Sequence, residues 1–153
     1  MNRRLRIYFD TSVFGGCFDD EFSYESLKIL DEVKAGRYKL ILSSTSLLEL
    51  SRAPKQVRDL LKSLPEDSIE IVDISDEIES LRDAYINAGV IEEANIFDAE
   101  HIASATIANA DLIVSWNYKH IVHFMKIKGY HAVNLMHGYY PIPIHSPSEV
   151  IER

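Results

Sequence analysis

The chain has 153 residues, 46% hydrophobic and 26% charged, a balance that suits one globular domain and excludes a disordered or fibrous chain. A single cysteine, Cys17, excludes a disulfide framework and a multi-cysteine zinc site. The net charge of −8 argues at first against nucleic acid, but residues 61–111 alone carry −11, residues 1–60 carry +1 and residues 112–153 carry +2.

In chain order, Leu5-Arg6-Ile7-Tyr8-Phe9 alternates and then turns fully apolar, as a strand entering a core does, and Gly15-Gly16 breaks the pattern after Asp10-Thr11-Ser12. Ser23 to about Ala35 reads as a helix with Leu27, Leu30 and Val33 on one face and Gly36 as its stop. Lys39–Ser43 reads as a second strand, Ser44–Arg52 as a short helix ended before Pro54, and Lys55–Leu64 as a further helix. Ile69–Asp73 is a third strand, followed by a helix capped by Ser75 and closed by Gly89. Phe97–Ala110, rich in small residues, reads as a helix, and Leu112–Ser115 as a buried fourth strand. Tyr118–Lys128 is predicted as a helix ending at Gly129, and Ala132–Leu135 as a fifth strand. The tail, with Pro141, Pro143 and Pro147, is expected to be irregular or an edge strand.

This alternation predicts an α/β fold with a mainly parallel sheet covered by helices on both faces. One domain is expected over residues 1–153, with a core at about 5–135 and an irregular tail over 136–153. Apolar runs such as Leu40–Leu48 are far shorter than the ~20 residues of a membrane span. The segment Gly129–Ser148 lacks charged residues, but its histidines and prolines exclude it as a span. The basic start, Met1 to Arg6, has no apolar stretch of a secretory signal, so a cytoplasmic location is expected.

In open α/β sheets ligands gather at the carboxyl ends of the strands. Asp10 ends the first strand, Glu49 lies six residues after the second, Asp98 begins the helix before strand four, and Asn117 follows that strand. Each alone suits a turn, a helix cap or a solvated position. Together, three carboxylates and an amide on one rim suit a hard divalent cation such as Mg²⁺ or Mn²⁺, which takes oxygen ligands and can activate water at a phosphoryl group. Without a cation, carboxylates so close would repel, and some would hold protons near neutrality.

The segments around these residues resemble four motifs of the PIN domain family, the ribonuclease domain of VapC-type toxins. They are Ile7-Tyr8-Phe9-Asp10-Thr11-Ser12-Val13-Phe14, Ser43-Ser44-Thr45-Ser46-Leu47-Leu48-Glu49-Leu50, Phe97-Asp98-Ala99-Glu100-His101-Ile102-Ala103-Ser104-Ala105, and Leu112-Ile113-Val114-Ser115-Trp116-Asn117-Tyr118-Lys119-His120-Ile121. Their order and spacing match over about residues 5–135. The resemblance implies a three-layer α/β/α fold and a Mg²⁺- or Mn²⁺-dependent endoribonuclease, the toxin of a type II toxin–antitoxin pair, with an antitoxin partner and a homodimer. It implies metal binding by Asp10, Asp98 and Glu49, with Asn117 orienting water or metal. The products it implies carry a 5′-phosphate and a 3′-hydroxyl. Ser12 and Ser115 match supporting hydroxyl positions. Asn117 stands where the family commonly has Asp, so it adds no negative charge.

Other side chains are assigned more modestly. His101 lies one helical turn after Asp98 and is expected to be a packed or hydrogen-bonded neighbour of the site rather than a base. Lys119 and His120 could touch phosphate or stand solvated. His120 and His123 share a face, but no carboxylate or cysteine at ligand spacing supports zinc. Cys17 lacks a base and an oxyanion site and is expected to be a structural thiol. Phe18, Phe22, Tyr24 and Tyr139-Tyr140 seal the core or mark a surface for a second copy or a partner's helix. Asp19, Asp20 and Glu21 are expected to face solvent or a basic partner. RNA is expected to approach from Arg3, Arg4 and Arg6 and from the Lys119–Lys128 segment. A PIN-like RNA- or protein-binding module without catalysis is the alternative. A phosphatase or receiver-like domain using Asp10 is a third reading, weakened by Ser at position 12.

Overall fold

A computed structural model of the chain describes residues 4–151. Its centre is a sheet of five parallel strands: β1 (Leu5–Phe9), β2 (Tyr38–Ser43), β3 (Ile69–Val72), β4 (Leu112–Val114) and β5 (Ile144–His145), in the order β3-β2-β1-β4-β5. The helices are α1 (Ser12–Gly16), α2 (Ser23–Lys34), α3 (Ser44–Ser51), α4 (Lys55–Lys62), α5 (Asp76–Asn87), α6 (Ile96–Ile107), α7 (Phe124–Met136) and α8 (Pro147–Val150). The α/β class and mainly parallel sheet expected from the sequence are present, and every strand pair is parallel.

Strand periodicity explains the three layers. Ile7 and Phe9 of β1, with Leu40 and Leu42 of β2, face one core shared with Val13, Phe14, Ile29, Leu30 and Val33. Tyr8, Ile41 and Ile113 face the other, shared with Ile78, Leu81 and Tyr85 of α5, Ile102 of α6 and Tyr130 of α7. Both faces of the central strands are buried, which accounts for their near-continuous apolar runs. The chain builds outward from β1 through β2 to β3, then returns past β1 to β4. The space between the carboxyl ends of β1 and β4 is thus a topological switch point, where such sheets bind ligands.

The C-terminal third departs from the sequence reading. Residues 118–122 form turns rather than a helix, and the helix runs Phe124–Met136, through both Gly129 and the segment Ala132–Leu135 expected as a strand. Gly129 is there for close approach. A methyl group on it would lie 2.7 Å from Val90 Cγ1, so α7 can pass Val90 only because residue 129 has no side chain. The fifth strand falls in the tail, where Ile113 and Val114 pair with Ile144 and His145. Of the two readings of the tail, irregular or an edge strand, the edge strand is the one found at Ile144–His145, and the capping box Ser146–Glu149 adds a short helix that the sequence reading did not expect. The early turn after Asp10 is also helical, over Ser12–Gly16.

Candidate active site

At the end of β1, Asp10 is only 4% exposed. Ser12 Oγ donates to Asp10 Oδ1 at 2.6 Å and accepts from the Trp116 amide at 2.9 Å. Ser12 and Ser115 hydroxyls stand 3.4 Å apart, and Ser115 Oγ accepts from the Asn117 amide at 2.9 Å. The two supporting serines thus tie the end of β1 to the loop after β4. Burial is the main force raising the Asp10 pKa to about 6; the charge of His101 and bonds from Ser12 and Ser115 oppose it, while Asp98 adds to it.

Asp98 sits in the first turn of α6, where the helix dipole favours its charge. Its pKa is nevertheless raised, first by burial and also by Glu49, against the charges of His101 and His120 and a hydrogen bond from the Asn117 side chain. Asn117 Oδ1 accepts from the His120 amide at 2.9 Å, a local turn that Asn favours. An amide at this position therefore serves two neighbours: its oxygen fixes the His120 turn, and its side chain reaches Asp98.

Glu49 projects from α3, which is started by a capping box between Ser43 and Ser46. Its Oε1 lies 2.5 Å from His101 Nε2. His101 is 1% exposed, and its Nδ1 lies 2.6 Å from the Tyr8 hydroxyl, which in turn donates to Ser43 Oγ at 2.8 Å. Burial works against charge on this ring, but Tyr8, Glu49 and Asp10 outweigh it and carry its pKa well above the ordinary value. Charged His101 donates from both nitrogens, to Tyr8 and to Glu49. It is the packed, hydrogen-bonded neighbour that the sequence suggested, and Tyr8 is the partner that sequence reasoning missed. The only signal for Tyr8 was a polar atom on a residue flanked by Ile7 and Phe9 in a buried strand.

The structure brings Asp10, Asp98 and Asn117 together and links Glu49 to them through His101. Among the described residues, no three His, Cys, Asp or Glu side chains lie close enough to hold an ion as they stand. The donor chemistry still fits a hard cation. Burial raises the pKa of both Asp10 and Asp98, with Asp98 adding to the rise at Asp10 and Glu49 to that at Asp98, a cost that a bound divalent ion would offset, and Mg²⁺ commonly needs only one or two carboxylates plus waters.

Several other expectations resolve. Cys17 is a buried thiol, pushed by burial up to about 11. Phe22 stacks on Trp116 at 4.3 Å, Tyr139 packs against the core, and Phe18, Tyr24 and Tyr140 are exposed. Arg6 pairs with Glu70 at 2.9 Å, and Arg3 lies outside the described residues. No helix among the described residues is long and apolar enough to cross a membrane.

Comparison with known proteins now adds the decisive observation: the profile of the PIN domain family matches residues 7–120. The chain belongs to the PIN domain family. PIN domains are generally nucleases. No curated protein matches the chain. Among solved structures, it resembles the crystal structure of FitAcB from Neisseria gonorrhoeae, with a TM-score of 0.59 and 13% identity over 94% of this chain and 99% of that one. It also resembles VapBC2 from Rickettsia felis bound to a DNA fragment from their promoter, with a TM-score of 0.55 and 17% identity over 93% and 98% of the two chains. At these identities the likeness speaks for the PIN fold.

Proposed function

We propose that this PIN domain, taken as one domain over the whole chain, is a cytoplasmic, Mg²⁺- or Mn²⁺-dependent endoribonuclease, the toxin of a type II toxin–antitoxin pair. The observation that carries the reading is the pair of carboxylates at the switch point of a PIN fold, Asp10 buried and Asp98 half-buried, both with pKa values raised by desolvation. Asp10 and Asp98 would hold the divalent ion. When bound, that ion would lower the pKa of a water and neutralise charge on the phosphoryl group. The chain's own residues set the rest. Ser12 and Ser115 fix the Asp10 carboxylate, and Asn117 steadies Asp98. His101, held by Tyr8, keeps Glu49 at the rim, where its outer oxygen can orient the attacking water or join the ion. Hydrolysis would leave a 5′-phosphate and a 3′-hydroxyl.

Two surfaces suit the partners. A groove of about 310 Å³ beside Glu49, lined by Thr45, Leu48, Arg52 and Phe97, would take a segment of the antitoxin, a partner supported by the VapBC and FitAB neighbours. A second copy suits α7. Phe124, Met125, Leu135 and Met136 are 62–83% exposed, and a helix apolar on its outer face is normally covered. These residues are placed symmetrically about Tyr130, with Lys128 opposite Ala132, as a two-fold antiparallel helix pair requires. The four side chains expose on the order of 600 Å² per copy, near the roughly 800 Å² per partner of a standard interface.

The alternative, a PIN-like module without catalysis, rests on Asn117 in place of an acid. Calorimetric titration with Mn²⁺ separates the two. The nuclease reading expects one saturable site that disappears in Asp98→Ala; absence of binding in the unaltered protein would favour the inert module.

A further inference from the structure

Next to Asp98 and Asn117 lies a crevice of about 370 Å³ lined by Glu92, Asn95, Lys119, His120 and Lys126. Neither the carboxylates nor their supports account for it. His120 is held there with unusual economy of freedom. Its amide donates to Asn117 Oδ1 at 2.9 Å, and its carbonyl accepts from the Tyr130 hydroxyl at 2.8 Å, so both ends of one residue are fixed. Asn117 also bonds Asp98, so the ring is registered to the carboxylates through a single side chain.

The ring itself is open on one side. His120 Nδ1 is shut away from solvent and has no hydrogen-bond partner. A buried N–H without an acceptor costs more than an unused lone pair, so the proton of the neutral ring belongs on Nε2. The crevice is thereby offered an Nε2–H donor. Beside it stand the exposed Lys119 ammonium, the Asn95 amide and Lys126, whose Nζ donates to the Val90 carbonyl at 2.7 Å and keeps further N–H groups free. Glu92, exposed, is the one acid in the lining. In a chain of net charge −8, two lysines and two neutral donors meeting beside an acidic centre form an anion-accepting surface.

We infer that this crevice is a phosphate subsite, in which His120 Nε2 and the Lys119 ammonium donate to the phosphodiester adjoining the one that is cut. The inference rests on the nuclease reading and adds where the strand is held: a cation on Asp10 and Asp98 would take the scissile group, and the crevice sets its register. Inorganic phosphate shares the same chemistry and is the competing occupant.

Binding, rather than turnover, tests it. In an Asp10→Asn background, the affinity for a short fluorescent single-stranded RNA is read by polarisation at fixed salt. Glutamine carries its amide nitrogen where Nε2 of histidine lies, and asparagine carries it where Nδ1 lies. His120→Gln should bind within about threefold of the parent, while His120→Asn and Lys119→Ala should each bind about tenfold more weakly. Lys119→Ala should also lower the salt slope by about one. Equal affinities in the Gln and Asn variants, or an unchanged salt slope in Lys119→Ala, would overturn the subsite. Inorganic phosphate displacing the RNA at micromolar concentration would reassign the crevice to the free anion. If both His120 variants melt early, Lys119→Ala, at an exposed side chain, decides alone. Persistent cleavage by the Asp10→Asn background would instead refute the catalytic site and is seen separately as shortened RNA.

Discussion

Asp10 carries an electrostatic cost that the fold tolerates for the sake of its site. Its carboxyl is raised from 3.8 to about 6, so the native state binds its proton more tightly than the unfolded chain does. That contribution to stability is complete below about pH 4 and is lost as pH rises through about 6. Asp10→Asn removes the cost, so at pH 8 the variant should be more stable by about 2–3 kcal/mol, with the difference vanishing near pH 4. Urea unfolding at the two pH values measures it; a gain independent of pH would contradict the assignment of a desolvated charge. Tyr8→Phe tests the neighbouring clamp. It strips one partner from His101 and one from Ser43 inside the core, and should cost about 1–3 kcal/mol in the same assay. The nearness of Asp10, Asp98 and Asn117 to one rim is legible in the sequence, because the ends of parallel strands lie on one edge of the sheet. The Glu49–His101–Tyr8 chain is not, because its members come from three separate elements and meet only after the helices pack.

At the scale of elements, periodicity and caps make the strands up to β4 and the helices α2 to α6 readable within a few residues at each end, while the single helical turn α1 is hidden by Gly15-Gly16. Reading failed at α7 and β5 for one physical reason. Gly129 carries two meanings, helix stop and close approach, and only the position of Val90 in space chooses between them. Read as a stop, Gly129 leaves Ala132–Leu135 looking like a strand, and the two-residue strand Ile144–His145, set among prolines, is too short to stand out as more than one option for the tail. Gly129→Ala should accordingly destabilise the protein by about 1–3 kcal/mol, although alanine favours an isolated helix by about 1 kcal/mol. Val90→Ala in the same chain makes room for the methyl group and should recover most of the loss. A double-mutant cycle by thermal unfolding reads the coupling; additive effects would mean that α7 and Val90 do not constrain each other.

For the whole molecule, the acidity that first argued against nucleic acid is concentrated in residues 61–111, much of it away from the switch point. Asp76, Glu77, Glu79 and Asp83 lie on α5, Glu70 is occupied by Arg6, and Glu100 is buried against Arg82 at 2.6 Å. At the switch point stand Asp10 and Asp98 with Glu49 nearby, flanked by the crevice of Lys119 and Lys126, which Glu92 also lines. On the proposed nuclease reading, attraction to an RNA strand would be modest and salt-sensitive, which would place weight on shape and on a second protomer. If α7 is the dimer face, light scattering should give twice the chain mass, and Leu135→Glu should give the monomer without loss of helix content. A monomer at all concentrations in the unaltered protein would remove that interface. The central claim, that Asp10 and Asp98 form the working centre of a metal-dependent ribonuclease, is tested most directly by incubating single-stranded RNA with the protein in Mn²⁺. The unaltered chain should cut it, and do so only with the ion present, and Asp10→Asn and Asp98→Asn should each lose at least about a hundredfold in rate, as removal of a key charge-stabilising group does elsewhere. Equal cleavage by either variant, or undiminished cleavage in chelator, would contradict it.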